Sequence, residues 1–179
     1  MEADMRKALS IAKWIKRYGW LLVASSILLT GCQGALLTYK GAKVRDAYRI
    51  ALADGTDQRS HYESPDLTID YQVFRNGDDL QLSGVAEYTP KIKNGFILVP
   101  YFHLSVFLAD QYGNILQDKG ITTPGSDDPN NKMRFNEKIR LPPGTANMAF
   151  SYSCEARSSG GRRDGGGGLA SFWQVPIVK

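Results

Sequence analysis

The stretch LTIDYQVFRNGDDLQLSGVAEY, residues 67–88, decides the fold class of this chain. Apolar residues alternate with polar ones on both sides of Asn76-Gly77, beginning with Leu67 before the pair and with Leu80 after it. Alternation of period two is typical of a strand that buries one face. Asn-Gly between two such runs is the strongest short signal for a β-hairpin. The stretch therefore predicts two antiparallel strands joined by a tight turn.

The segments that follow this hairpin extend the same pattern. Pro100 should end the apolar run before it, so the next strand is predicted over residues 101–110. Both faces of that strand are apolar, which indicates a central strand covered on both sides. Four further runs, each bounded by turn residues, occupy residues 115–119, 132–141, 147–157 and 169–178. We therefore expect a mainly β domain over residues 67–179, an antiparallel sandwich of about seven strands.

The region before the hairpin has a different pattern. Leu37, Val44 and Tyr48 recur at spacings of seven and four, which predicts a short amphipathic helix over residues 36–53. This helix is expected to pack on the domain behind it as a second cover of the sheet. The alternatives are a stalk or a helix that lies on the membrane surface. Residues 55–66 are polar and are predicted to form a linker.

The N-terminal segment resembles a secretory signal in its layout. Residues 1–17 carry five basic and two acidic side chains, residues 18–29 are uncharged and mostly apolar, and small residues precede Cys32. This order of basic, apolar and small residues is typical of a signal peptide. The apolar run is shorter than the roughly 20 residues that a helix needs to cross a bilayer.

Leu29-Thr30-Gly31-Cys32 resembles the lipobox of bacterial lipoproteins. The resemblance implies that residues 1–31 are a signal peptide cleaved between Gly31 and Cys32. It also implies a diacylglyceryl group on the Cys32 thiol and an acyl chain such as palmitate on the new amine, which together anchor a chain stably in a membrane. The alternative is an uncleaved signal anchor with an incidental cysteine. Residues 32–66 then form the lipidated N-terminus, the predicted helix and the linker.

Gln33 and the charge balance bear on location and partners. In Gram-negative bacteria, Asp directly after the lipidated cysteine tends to hold a lipoprotein at the inner membrane. This chain has Gln33 there. It therefore resembles lipoproteins that are released to the outer membrane, whose periplasmic face is the expected location. Display on a Gram-positive surface is the alternative. After residues 1–32 are removed, 17 basic and 16 acidic side chains remain. A nearly neutral chain gives no reason to expect nucleic acid as a partner.

Cys154 has no intramolecular partner if Cys32 carries lipid. It lies in an alternating apolar run, so we expect a buried strand residue rather than a reactive thiol. No disulfide framework is predicted.

Residues 80–155 resemble the FxLYD-type and related immunoglobulin-like domains of bacterial lipoproteins. The resemblance rests on Leu82-Ser83-Gly84-Val85, on residues 108–116, which follow an L-x-D-x-x-G-x-x-L pattern, and on residues 141–144, which read LPPG. The Phe-x-Leu-Tyr-Asp motif itself is absent. Tyr152-Ser153-Cys154 is similar to the Tyr-x-Cys of antibody-like domains but has no second mature cysteine to pair with. The resemblance implies an immunoglobulin-like sandwich.

Few residues suggest catalysis or metal binding. His61 lies near Glu63 and Asp66, but no second cluster completes a zinc site, so a surface histidine is the preferred interpretation. His103 is predicted to have a packing role rather than a catalytic one. Residues 126–131, SDDPNN, are interpreted as a turn rather than a calcium loop. No nucleophile elbow, paired-histidine zinc motif or phosphate-binding loop occurs. We therefore predict no enzyme activity, no metal and no cofactor apart from the covalent lipid.

Two functions remain open at this point. The first is a binding or scaffolding component of an envelope assembly, which contacts other envelope proteins. Its candidate contacts are the aromatic residues Tyr88, Tyr112, Phe172 and Trp173. Arg162 and Arg163 could add contacts to an acidic partner or to phospholipid from a glycine-rich loop, although such a loop is more often only a flexible hairpin tip. The second is an envelope carrier or sensor that binds a small apolar ligand between helix and sheet, near His103 and Phe107. An envelope hydrolase is a distant third.

Overall fold

The computed structural model describes residues 39–159 and 168–178. The predicted signal peptide, the lipidation site at Cys32 and the Arg162-Arg163 loop lie outside the described residues. The described chain is mainly β, with nine strands and one short α-helix: β1 Ile50–Ala51, β2 Asp57–Glu63, β3 Leu67–Asn76, β4 Asp79–Tyr88, α1 Pro90–Gly95, β5 Leu98–Ala109, β6 Ile115–Ile121, β7 Met133–Arg140, β8 Asn147–Arg157 and β9 Leu169–Gln174.

The strands form two antiparallel sheets. The four-stranded sheet has the order β2-β3-β4-β7. The five-stranded sheet has the order β1-β8-β5-β6, and β9 joins it on the same edge of β8 as β1. The two short strands share that edge because β1 pairs with the start of β8 and β9 pairs with its end. The mainly β prediction is confirmed, whereas the count of about seven strands is wrong.

The hairpin that decides the fold class forms as predicted. Asn76 pairs with Asp79, so the loop has two residues, and Gly77 adopts a left-handed φ of 58°. The alternating residues of both strands point inward, where Ile69 and Leu82 are fully buried. Burial of these side chains against the inward face of the other sheet supplies the main stabilising contribution to the fold.

β5 is a central strand that is covered on both faces over its second half. Its inward residues, such as Leu104 and Val106, belong to the main core between the sheets. On the outer face, Phe107 and Ala109 are buried in a second, smaller cluster. The predicted central position of this strand is confirmed, because β8 and β6 flank it.

The second cover is not the predicted helix. Residues 39–42 form a turn with a left-handed Gly41, residues 43–45 run extended on the outer face, a 3₁₀ turn follows at Asp46–Tyr48, and β1 comes next. Val44 forms an isolated bridge with Ile177, so the two ends of the described chain lie side by side on this face. The helix prediction is wrong over this range because the backbone finds its hydrogen bonds with distant segments, for example from the Val44 amide to the Gly113 carbonyl (2.8 Å).

The predicted linker over residues 55–66 instead contains β2. The sequence resembles a linker here because β2 is an edge strand whose side chains are mostly exposed. Only Gln58 and Tyr62 are half-buried. Its strand character comes from pairing with β3 along its whole length. A polar edge strand carries little hydrophobic pattern, so sequence alone does not reveal it.

Helix α1 is the only α-helix among the described residues, and it is too short and polar to cross a membrane. Thr89 precedes it and Pro90 occupies its first turn. Proline suits this position because the backbone N–H that it lacks would have no hydrogen-bond partner within the helix. Its single buried residue, Ile92, packs into the main core.

Candidate interaction surface

Within residues 39–159 and 168–178, the outer face of the first half of β5 is exposed. Beyond the cluster around Phe107, four large apolar side chains are exposed on this side of the five-stranded sheet. They are Leu98 (38% exposed), Tyr101 (49%), Leu169 (57%) and Trp173 (67%), which we call the outer patch. Exposed apolar side chains grouped on one face mark a contact surface more often than the same residues scattered singly.

The register of the sheet shows how the outer patch is arranged. Leu98 and Leu169 lie on either side of Arg157, because both are paired with it across β8. Tyr101 is paired with Glu155, which is in turn paired with Ser171. The apolar side chains therefore flank a polar row on β8. Apolar groups interleaved with polar ones are typical of non-obligate protein interfaces.

Trp173 also borders a cleft of about 380 Å³ at the rim of the outer patch. Tyr39, Arg45 and Tyr48 form the opposite wall. The Arg45 guanidinium lies over the Tyr48 ring at 5.7 Å, and its Nε donates to the Ile177 carbonyl at 3.0 Å. The cleft adds a cation and two aromatic rings to the surface that begins at Trp173.

The predicted contact residues lie in different places. Trp173 belongs to the outer patch. Phe172, next in the strand, points inward, where its ring packs edge-on against Phe96 (5.3 Å) and lies 4.9 Å from the Lys91 ammonium. Tyr112 is 64% exposed but lies in the turn after β5, at the opposite end of that strand from Tyr101.

Tyr88 is not a surface contact. Only 2% of it is exposed, and its hydroxyl donates to the Ser126 carbonyl at 2.9 Å. The expectation that its side chain is exposed is wrong, because the alternation of β4 that buries Leu82 and Ala86 also turns Tyr88 inward. Its pKa is raised, mainly by burial.

Three members of the outer patch were missed in the sequence: Leu98, Tyr101 and Leu169. Pro100 was expected to end the preceding run, but β5 begins at Leu98 and accommodates the proline where its register with β8 shifts. The alternation of β5 does place Tyr101 and Phe102 on opposite faces of the strand, and this is the signal in the sequence that could have identified Tyr101. It could not show that this half of the face is uncovered.

The two histidines lie on different sheets, His61 in β2 and His103 in β5. His61 Nδ1 lies 2.7 Å from the carboxylate of Asp70, its cross-strand partner, rather than near Asp66. Among residues 39–159 and 168–178, no three His, Cys, Asp or Glu side chains are grouped closely enough to hold a metal ion. His103 is exposed on the outer face, opposite Ser153, so the predicted packing role is wrong.

Asp66 is instead part of a buried polar cluster. Its carboxylate accepts hydrogen bonds from the Tyr152 hydroxyl (3.1 Å) and the Lys91 ammonium (2.9 Å). The Tyr152 hydroxyl also lies 3.0 Å from Ser64 Oγ. Burial raises the pKa of Tyr152. Because every one of these contacts joins the turn between β2 and β3 to β8 or α1, the cluster fastens the two sheets together at one end.

Cys154 is a buried residue of β8, as predicted. Burial, reinforced by the negative charge of Asp66, raises the pKa of its thiol to about 11. The thiol is therefore protonated at neutral pH and is a poor nucleophile.

The remaining predicted features have structural explanations. Residues 126–131 form turns in which the Asp128 carboxylate accepts hydrogen bonds from the Asn130 amide at 2.9 Å and its side chain at 3.2 Å. Phe107, expected near a ligand pocket, is 1% exposed and packs against Tyr39 with ring centroids 5.0 Å apart.

Fold and surface together define a two-sheet antiparallel β domain with an exposed apolar patch beside one sheet edge. No family model matches the chain, and no curated protein or solved structure matches it.

Proposed function

We propose that this chain is a lipid-tethered envelope protein whose β domain binds another envelope protein through the outer patch, without catalysis. The observation that carries the proposal is the grouping of Leu98, Tyr101, Leu169 and Trp173 on one sheet face. Aromatic residues dominate the energetics of protein interfaces, and two of the four are aromatic. The immunoglobulin-like character of the sandwich belongs to this proposal as well, on the motifs between residues 80 and 155.

The lipid tether is supported by the lipobox-like Leu29-Thr30-Gly31-Cys32 after a basic and then apolar segment. Two or more acyl chains hold a protein stably at a membrane, whereas one binds only marginally. The domain is then held at the envelope, most favourably at the periplasmic face of the outer membrane.

The tether is tested by Cys32→Ser in the full-length chain. We expect the wild-type protein to sediment with membranes and to lose residues 1–31, which mass spectrometry of the N-terminus detects. The variant has no thiol to alkylate, so it should retain its leader and incorporate no labelled palmitate. A wild-type protein that keeps residues 1–31 and carries no lipid would disprove the lipobox interpretation.

The outer patch is tested by the double variant Tyr101→Ser with Trp173→Ser. In cells treated with a short cross-linker, affinity capture of the wild-type protein should recover a partner that quantitative mass spectrometry identifies. Loss of two aromatic contacts worth about 2 kcal/mol or more should lower recovery at least tenfold.

Phe74→Ser is the matched control, because Phe74 is 40% exposed on the outer side of the other sheet. It should leave recovery unchanged. Equal recovery of the partner by the double variant, with an unchanged melting temperature, would place the contact surface elsewhere.

A further inference from the structure

β9 is an edge strand without the usual protection. It pairs with β8 on one side, and no described residue outside β8 forms a backbone hydrogen bond with residues 169–174. Its sequence, LASFWQ, contains no charged residue and no proline. The other long edge strands, β2, β6 and β7, all carry both acidic and basic side chains. Charges and prolines are the devices by which proteins prevent an edge from pairing with another chain, and β9 has neither.

The backbone of β9 shows which of its groups face outward. The Gln174 carbonyl accepts a hydrogen bond from Ser151 Oγ of β8 at 3.0 Å, and the Phe172 amide faces the Cys154 sulfur. Along an edge strand, successive residues direct their backbone groups to opposite sides in the plane of the sheet. Leu169, Ser171 and Trp173 therefore each present one N–H and one C=O away from β8.

We propose that a second copy of this chain pairs with β9 through its own β9, antiparallel about a two-fold axis at Ser171. Ser171 then lies opposite Ser171 of the partner subunit, and their outward backbone groups exchange two hydrogen bonds. Leu169 lies opposite the partner subunit's Trp173, and Trp173 opposite the partner subunit's Leu169, with two further bonds each. The two five-stranded sheets become one continuous sheet.

Self-pairing suits this strand for two reasons. In this register each outer-face residue of β9 lies opposite an outer-face residue of β9 in the second copy. The outer patches of both copies therefore join across the axis. No charge meets a like charge, because the strand has none, and the smallest exposed side chain of the strand sits on the axis. A self-complementary patch of this kind is what a closed two-fold dimer requires. The pairing goes beyond the proposed function, since it depends neither on the lipid nor on another envelope protein.

The test uses the processed full chain, purified in mild detergent, with its mass measured by native mass spectrometry and sedimentation velocity. We expect the wild type to be a dimer. Ser171→Lys and Ser171→Glu should each be monomeric, because two like charges would face each other at the axis. An equimolar mixture of the two variants should form a heterodimer. This rescue requires residue 171 of one copy to lie close to residue 171 of the other copy.

Ser60→Lys is the matched control, since Ser60 is an exposed serine in the edge strand β2. It should remain dimeric. As a second measurement that needs no change of charge, Ser171→Cys should form a disulfide between copies under mild oxidation, and Ser60→Cys should not. Directly paired strand residues have Cα separations within the range that a disulfide spans.

Three outcomes would overturn the pairing: a monomeric wild type at the highest soluble concentration, a dimeric Ser171→Lys, or two monomeric variants whose mixture stays monomeric. If the wild type is monomeric and the Ser171→Cys variant forms a disulfide with a different protein, the exposed edge of β9 binds that protein instead. Tyr101 lies in β5, outside the β9 pairing, so loss of partner recovery by Tyr101→Ser alone, with the dimer mass unchanged, keeps failure of the dimer and failure of the proposed function separate.

Discussion

Replacing Gly84 by alanine should lower the free energy of unfolding by about 3 kcal/mol, at the upper end of what overpacking costs. Gly84 lies in β4, opposite Tyr71 of β3 and Phe135 of β7. A Cβ at this position would overlap the backbone carbonyl oxygen of Asp70 and would come within 2.7 Å of the Phe135 ring. The contacted atom of Phe135 is Cζ, which lies on the axis of ring rotation and does not move when the ring flips, and the Asp70 carbonyl is fixed in the β3 backbone. The β3–β4 pairing must therefore open locally to admit the methyl group.

Urea unfolding followed by circular dichroism measures this change. Gly95→Ala is the control, because nothing lies within 4 Å of a Cβ at Gly95 and its backbone is not left-handed. The control should leave stability unchanged or raise it by less than about 1 kcal/mol. If both variants unfold at the same urea concentration, the close approach of β3 and β4 at Gly84 is not what makes glycine necessary there.

The central part of the fold could be predicted from sequence because its signals are local. The hairpin at Gly77, the inward alternation of β4 and the burial of Cys154 follow from residue order over short distances. Each of these rests on a strand that buries one face, so that polar and apolar residues record the direction of every side chain.

The periphery could not be predicted in the same way. The spacing of Val44 and Tyr48 fits a helix face, yet the Val44 amide bonds to Gly113 and the chain lies extended beside Ile177. Those partners come from distant parts of the sequence, and their packing overrides a local helical preference. β2 was missed for the opposite reason, since an edge strand with both faces largely in water needs no apolar pattern.

The same limit applies to the candidate site. Alternation assigns Tyr101 and Phe107 to one face of β5, but only the structure shows that Phe107 is covered and Tyr101 is not. The cover over Phe107 comes from side chains between residues 39 and 48 and between residues 175 and 177, which are distant from β5 in the sequence. Trp173 was recognised from its residue type alone, and Tyr88 shows how that criterion fails.

Truncating Phe150 to alanine should cost about 3–5 kcal/mol of unfolding free energy, the usual range for a fully buried aromatic side chain. Phe150 is 1% exposed and projects from β8 into the main core. Its ring packs against Tyr62 of β2 at 5.4 Å and against Tyr71 of β3 at 5.1 Å. Phe150 thus connects the five-stranded sheet to the edge strand β2 and to β3 of the four-stranded sheet. Those tyrosines are fixed in paired strands, so they cannot collapse into the space that the ring leaves.

Phe74→Ala is the control for this prediction, because Phe74 belongs to β3 but is 40% exposed on the other face. It should cost less than about 1 kcal/mol, as surface substitutions do. Measuring both variants in a Ser171→Lys background keeps self-association out of the unfolding free energy, since binding of a second copy would stabilise the folded state by an amount that rises with the logarithm of protein concentration. A Phe150→Ala variant that loses no more stability than Phe74→Ala would mean that the two sheets do not depend on this ring for their packing.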